Sequence, residues 1–276
     1  MEPTRRDLLK AGAALGPAAL LGFPAAAEAD SAPDVLKPYG LDLFTVYRKM
    51  FASAAPKSTC LWWYFGVDHM AVDGMGGDVP VNQVDCMMAY RTEMLDPDTM
   101  KILYRERGCF RDIATGEIPK PWRNPVDGEI LPRAPSFVDG PGTYIVHKTP
   151  AGVDVSLEQA TATGPRVAVT VSVADGQVCL TQTEDKLRPI SAPRPIQSVL
   201  KIYAGLDVLR DPKILSADAS GFYSTGLTET PMRRTRGLMR KTALGEKLNP
   251  VAWQRIKAAY PKAFEGDVYD PWGDDG

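Results

Sequence analysis

Glu106 interrupts an apolar pattern. In the stretch Val84–Glu129, two strand-like runs flank Asp96-Pro97-Asp98, and a three-residue loop there opposes Met94 with Met100, Glu93 with Lys101 and Tyr90 with Tyr104. In that register Cys86, Met88, Tyr90 and Met94 share a face with Met100, Ile102 and Tyr104. Asp85, Arg91, Glu93, Lys101, Arg105 and Arg107 take the other face. Glu106 falls on the apolar face, opposite Met88. An unpartnered carboxylate among apolar groups costs roughly several kcal/mol, so it protonates or finds a donor. Either outcome makes it a candidate general acid or base. The competing reading turns the charged face inward, leaves Glu106 near solvent and moves attention to Arg91, Arg105 and Arg107.

The other reactive residue types offer less. The two histidines, His69 and His147, could join a carboxylate as a proton relay or metal site, but no HxH or HExxH spacing exists, so no metal is expected. Asp68, next to His69 in a strand, points to the opposite face and is a poor orienter for it. No Gly-x-Ser-x-Gly elbow is present. The glycine-rich Asp73–Asp78 lacks the Gly-Lys-Ser/Thr of a phosphate loop. Glycoside hydrolysis needs two facing carboxylates, for which Glu106 and Glu158 are the candidates. Arg233, Arg234, Arg236, Arg240 and Lys241 read as a solvated loop or an anion clamp. Cys60, Cys86, Cys109 and Cys179 have no CxxC spacing; they read as buried thiols or as one or two disulfides.

What remains is a pocket of tyrosine, tryptophan and methionine with a carboxylate. Glu106, His69 and His147 are the candidate acid/base residues, and Tyr64, Tyr90, Tyr104, Trp62 and Arg91 the candidate substrate contacts. Such a pocket suits a small aromatic or apolar substrate and cofactor-free proton transfer of the lyase or isomerase type. The alternative is a ligand-binding protein without catalysis.

The elements that must position these residues are mostly strands. Leu43, Phe44, Tyr47, Met50 and Phe51 recur at helical spacing, predicting a helix over Leu41–Ala54 with Asp42 suited to its start. Cys60–His69 is an aromatic strand, apolar on both faces. Thr143–Lys148 and Val153–Gln159 form a hairpin across Ala151-Gly152. Asp175-Gly176 signals a two-residue turn that opposes Val173 with Val178 and Val171 with Leu180. Ser198–Ala204 and Phe222–Leu227 are strands, and Arg188–Pro195 is a connector. Asp112–Glu117 and Asn124–Glu129 are turns, and Pro119, Pro121 and Pro125 exclude a central strand between and after them. Residues 30–40 read as a linker. Asn249-Pro250 opens a helix to Tyr260 that docks through Trp253, Ile256 and Tyr260. Nine or ten short-spaced strands without alternating helices predict a mainly β fold, an antiparallel barrel or strongly curved sheet with terminal helices.

The chain has 276 residues and a formal net charge of -2, which gives no basic footprint for nucleic acid. Residues 1–29 read as a twin-arginine signal peptide. Arg5-Arg6 precedes an apolar run, Ala11–Phe23, and small residues at Ala25-Ala26-Ala27 offer a cleavage site. Glycines and Pro17 interrupt the run, and it is shorter than the ~20 residues of a membrane span. The expected location is the periplasm, the expected partners are the export machinery and a small-molecule ligand, and residues 30–276 form one β-rich domain. Oligomeric state is left open.

The Arg-Arg leader, the Asp112-x-x-Thr115-Gly116-Glu117 turn and the Trp122-x-Asn124-Pro125-x-x-Gly128-Glu129 stretch together resemble a bacterial family of unknown function exported by the twin-arginine route. At Val126-Asp127 this chain departs from the family pattern, which carries an aromatic residue and a threonine. The resemblance covers most of the mature chain and implies a β-rich single domain in the periplasm. It implies no activity and no catalytic residues.

Overall fold

The computed structural model describes residues 32–71, 78–125, 128–157, 166–188, 194–227, 233–242 and 250–261. The predicted leader, the bulk of the glycine-rich segment, Glu158, Asn249 and the acidic tail lie outside them. The chain begins with α1 (Ala32–Leu36), a 3-10 turn (Lys37–Tyr39) and α2 (Leu43–Phe51). Among the described residues twelve strands follow: β1 (Thr59–Ala71), β2 (Asp78–Asp96), β3 (Thr99–Arg111), β4 (Trp122–Arg123), β5 (Ile130–Leu131), β6 (Ser136–Thr149), β7 (Gly152–Leu157), β8 (Arg166–Ala174), β9 (Gln177–Arg188), β10 (Arg194–Gly205), β11 (Ala219–Leu227) and β12 (Arg233–Lys241). A short α3 (Leu206–Arg210) separates β10 from β11, and α4 (Pro250–Ala259) comes last.

Ten strands close into an antiparallel barrel in the order β1-β12-β11-β10-β9-β8-β7-β6-β3-β2, and β4 and β5 pair outside it. Closure gives each barrel strand a neighbour on both sides, with β7 and β8 joined among the described residues by the single pair Val155 opposite Val167. On one side the wall folds tightly: Gly66 lies opposite Gly237, and a Cβ at Gly237 would overlap the carbonyl of Phe65. Glycine is what permits that approach.

The first hairpin has the expected register, with Tyr90 opposite Tyr104 and Met88 opposite Glu106. Its connection differs from the expected three-residue loop. β2 runs on through Asp96, the turn is Pro97-Asp98, and a bulge between Met94 and Asp96 absorbs the extra residue. The second hairpin turns at Pro150-Ala151, with Thr149 opposite Gly152, rather than at Ala151-Gly152. The third is as predicted: Val173 opposes Val178, Val171 opposes Leu180, and Asp175 and Gly176 both have positive φ, at 50° and 72°, as this turn requires.

Two further expectations are corrected. Residues within 30–40 form α1 and the 3-10 turn instead of a linker. Arg233–Lys241 is the strand β12, not a loop. Its arginines at 234, 236 and 240 alternate with Thr235, Gly237, Met239 and Lys241, which is the period of a strand.

α2 plugs one end of the barrel. Asp42 caps its start, accepting from the Thr45 amide at 3.0 Å and the Thr45 hydroxyl at 2.7 Å. Its last carbonyls are met by groups from the wall. Trp62 Nε1 donates to Phe51 O at 2.8 Å, Lys241 Nζ to Lys49 O at 2.6 Å, and Ser216 Oγ to Ala52 O at 3.2 Å. Phe44, Tyr47, Met50 and Phe51 bury in one core with Cys60, Trp62, Met100, Ile102, Val146, Leu180 and Ile202. On the outside, Trp253 and Ile256 of α4 pack on Leu61, Met87, Ala89 and Cys109, with Trp63 and Tyr260 at the margin. This is the docking face predicted for that helix. All four cysteines are free thiols.

Candidate functional site

Strand alternation decides which side chains enter the barrel. Next to the plug, the inward residues Cys60, Trp62, Met100, Ile102, Val178, Leu180 and Ile202 are buried essentially completely. One layer further along, inward residues are less covered. Met88, Tyr104, Glu106 and Tyr223 all keep accessible surface. Side chains that point into a closed barrel and still keep accessible surface line a lumen. The plug therefore makes a floor, and Met88, Tyr104, Glu106 and Tyr223 stand in the wall above it.

Glu106 stands in that wall. Cys86 Sγ donates to Glu106 Oε1 at 3.2 Å, and Cys86 lies directly across from Tyr64 on β1. Tyr64 meets Tyr223 edge-on at 5.2 Å. Tyr90 and Tyr104 are cross-strand partners with ring centroids 6.3 Å apart, and Tyr104 lies 5.2 Å from Tyr144. Phe51 of the plug touches the rings of both Tyr90 and Tyr144 from below, at 5.1 and 6.1 Å. Tyr104 has Gly142 as its partner on β6, and a Cβ there would overlap the phenol ring.

The electrostatics keep the phenols of Tyr64, Tyr90 and Tyr223 and the thiol of Cys86 protonated. Burial pushes the Tyr90 phenol well up, and the negative Glu106 adds to the shift. Tyr223 is raised by burial, then by Glu106 and Glu184. The Cys86 thiol is raised by burial and then by Glu106. Tyr64 is raised by burial, with Tyr223 and Asp68 contributing. Its hydroxyl is buried and has no hydrogen-bond partner. Tyr90 donates to the thioether of Met88 at 3.5 Å, a weak acceptor.

A second carboxyl enters the same interior. Glu184 on β9 is buried and accepts from Ser198 Oγ at 3.3 Å. Its charge raises the phenols of Tyr47 and Tyr144 after burial. Gln182, two residues earlier, accepts from Tyr47 Oη at 2.7 Å. Sequence reasoning missed Glu184, although Asp175-Gly176 fixes a register that sets it opposite Val167 on the apolar face.

The predicted site residues separate into two groups. Glu106, Tyr64, Tyr90 and Tyr104 converge on the lumen. Trp62 is inward too, but it sits in the floor with its indole N–H committed to Phe51 O. The others lie elsewhere. Arg91 is on the outward face of β2, opposite Thr59 and Leu103. His69, past the point where Val81 bulges out of β2, faces away from Asp68, and its Nδ1 lies 3.1 Å from Val67 O. His147 is exposed, with Nδ1 3.1 Å from Thr99 Oγ1 beside the first hairpin turn. His69 is at the open end of the wall and His147 at the plugged end, so the expected grouping of both with Glu106 does not form. Among the described residues, no three His, Cys, Asp or Glu side chains group as metal ligands. No helix among them is long and apolar enough to cross a membrane.

At the end opposite the plug, the segment from β3 to β6 folds back on the barrel. Trp122 stacks on Phe110 at 6.1 Å and donates to Asn82 Oδ1 at 3.2 Å. The two turns in this segment share one construction. Asp112 N bonds Glu117 O, Gly116 N bonds Asp112 O, and Arg111 Nη1 reaches Gly116 O at 3.1 Å. Asn124 N bonds Glu129 O, Gly128 N bonds Asn124 O, and Arg123 Nη1 reaches Gly128 O at 3.1 Å. An Arg-Asx pair followed by Gly-Glu thus builds the same loop twice. Arg111 also pairs with the buried Asp85 on the outer face of β2, which ties the first loop to the wall.

Compared with models of protein families, with curated proteins and with solved structures, the chain matches none.

Proposed function

We propose that the protein is an exported, periplasmic enzyme that binds a small aromatic or apolar molecule in the barrel lumen and moves a proton on it, with Glu106 as the acid/base group. One observation carries the reading: a carboxyl faces an aromatic lumen with a thiol donor on it and phenols around it. Apolar walls with a few convergent polar groups are the usual make-up of a small-molecule site. A positioned carboxyl needs no redox partner for lyase or isomerase chemistry. Export rests on the Arg5-Arg6 leader, and the resemblance to the twin-arginine-exported bacterial family agrees with that compartment.

The test begins with native mass spectrometry of the leaderless protein, to find a molecule retained from the cell. That molecule and close analogues are then incubated with the protein in deuterated water. Deuterium incorporation that Glu106→Gln abolishes supports the enzyme. Retention of a ligand without exchange or turnover replaces it with a binding protein.

A further inference from the structure

We propose that the substrate is an enolisable carbonyl compound whose oxygen is held by the hydroxyl of Tyr64 while Glu106 removes the adjacent carbon-bound proton. The proposal rests on the acid/base reading of the lumen and narrows it to one substrate class.

Three features place an oxygen at Tyr64. Its side chain is in the wall, 5% exposed, and its hydroxyl has no partner there. Leaving a buried donor unmet is costly, and a ligand acceptor removes that cost. The ring is also held in place: Tyr223 packs edge-on against it, and a Cβ at Gly66 would overlap the phenol tip. Finally, Tyr64, Cys86 and Glu106 form one arc over three neighbouring strands, because Tyr64 opposes Cys86 and Cys86 bonds Glu106. A ligand in the lumen that touches Glu106 is therefore within reach of Tyr64.

The chemistry balances without any further reactant. The C–H bond next to the carbonyl breaks and its proton goes to Glu106. The electron pair of that bond forms the C=C bond, and the carbonyl π pair moves onto oxygen. Negative charge leaves the carboxylate as it appears on the oxyanion, so the lumen keeps its net charge. Tyr64 donates to the oxyanion, a bond that strengthens as charge develops. The proton on Glu106 then returns to the same carbon or to a conjugated one, giving exchange or isomerisation. Tyr90, bound only weakly to Met88 Sδ, is placed to add a second donor.

Phenols mimic a planar enolate, so the test uses phenol and 2-naphthol against their hydrocarbon counterparts, benzene and naphthalene. Affinities are measured by calorimetry on the leaderless protein and on Tyr64→Phe. The expected result is a loss of about tenfold or more for the phenols in Tyr64→Phe, with the hydrocarbons changed by less than about twofold. The melting temperature of Tyr64→Phe is expected to equal or exceed that of the parent, since an unmet hydroxyl is removed. Equal effects on phenols and hydrocarbons, or none on either, overturn the role of Tyr64 and leave the lumen site standing. If the parent binds neither set, the lumen reading itself fails.

Discussion

Cys86 Sγ donates to Glu106 Oε1 at 3.2 Å across the β2–β3 pair, inside the barrel. The thiol is raised by burial and by the carboxylate, so it stays a donor at neutral pH. The carboxyl thus has a fixed orientation from a group that does not compete for its proton. Glutamine at 106 keeps the shape and still accepts the thiol, but it cannot take a proton. Glu106→Gln is expected to lower turnover by about two orders of magnitude or more, the usual worth of a general base. Its melting temperature should match or exceed the parent's. Full activity in this variant would remove Glu106 from the mechanism.

Much of this arrangement was legible in the sequence, for a physical reason. Side chains alternate strictly in a strand, and a turn dipeptide fixes where two strands meet. Asp175-Gly176 and the 96–98 turn therefore determined the facing residues of two hairpins, including the odd position of Glu106. The same parity puts Glu184 with Val167, but Gln182 and the threonines at 181 and 183 blur the apolar signal. Parity also sets His147 outward, beside the inward Val146, so a histidine's chemistry alone is no guide to its face. β12 was hidden because its inward positions include Thr235 and Gly237, which carry no apolar signal. The plug helix was legible from its apolar spacing, but its place inside the barrel was not: a contact that docks it, Lys241 to Lys49, joins residues 192 apart.

Gly142 is the seat of Tyr104, and nothing larger fits beneath that ring. Gly142→Ala is expected to destabilise by about 1–3 kcal/mol, the usual cost of overpacking. Tyr104→Ala in the same chain should recover part of that loss. A double-mutant cycle by chemical denaturation measures the coupling. Additive effects would mean that Tyr104 does not rest on Gly142.

Changing both Arg5 and Arg6 to lysine should hold the protein in the cytoplasm. Fractionation followed by immunoblotting reads this directly. Unchanged accumulation in the periplasm would contradict twin-arginine export.

Lys241 gives a prediction with a definite sign. Its ammonium is fully buried at the foot of the barrel and donates to Lys49 O, near the C-terminus of α2. A cation suits that end of a helix. Burial nevertheless lowers its pKa from 10.5 to about 8. The folded value lies below the unfolded one, so the unfolded chain binds more protons between the two. The penalty is full below about pH 8, shrinks as pH rises through that window and vanishes above 10.5. Its size is about 3 kcal/mol at most, from the ~1.4 kcal/mol carried by each pH unit. Cysteine and tyrosine groups raised by burial act in the opposite sense at alkaline pH, so the parent's own pH profile mixes the two. Lys241→Met separates them. Methionine fills similar volume, and Lys49 O keeps its bond from Ala217 N at 3.0 Å. The stability of the parent minus that of Lys241→Met should therefore rise between about pH 8 and 10, measured by urea unfolding at several pH values. A flat difference would mean that the ammonium is held without penalty, and that its place at the helix end fully offsets its burial.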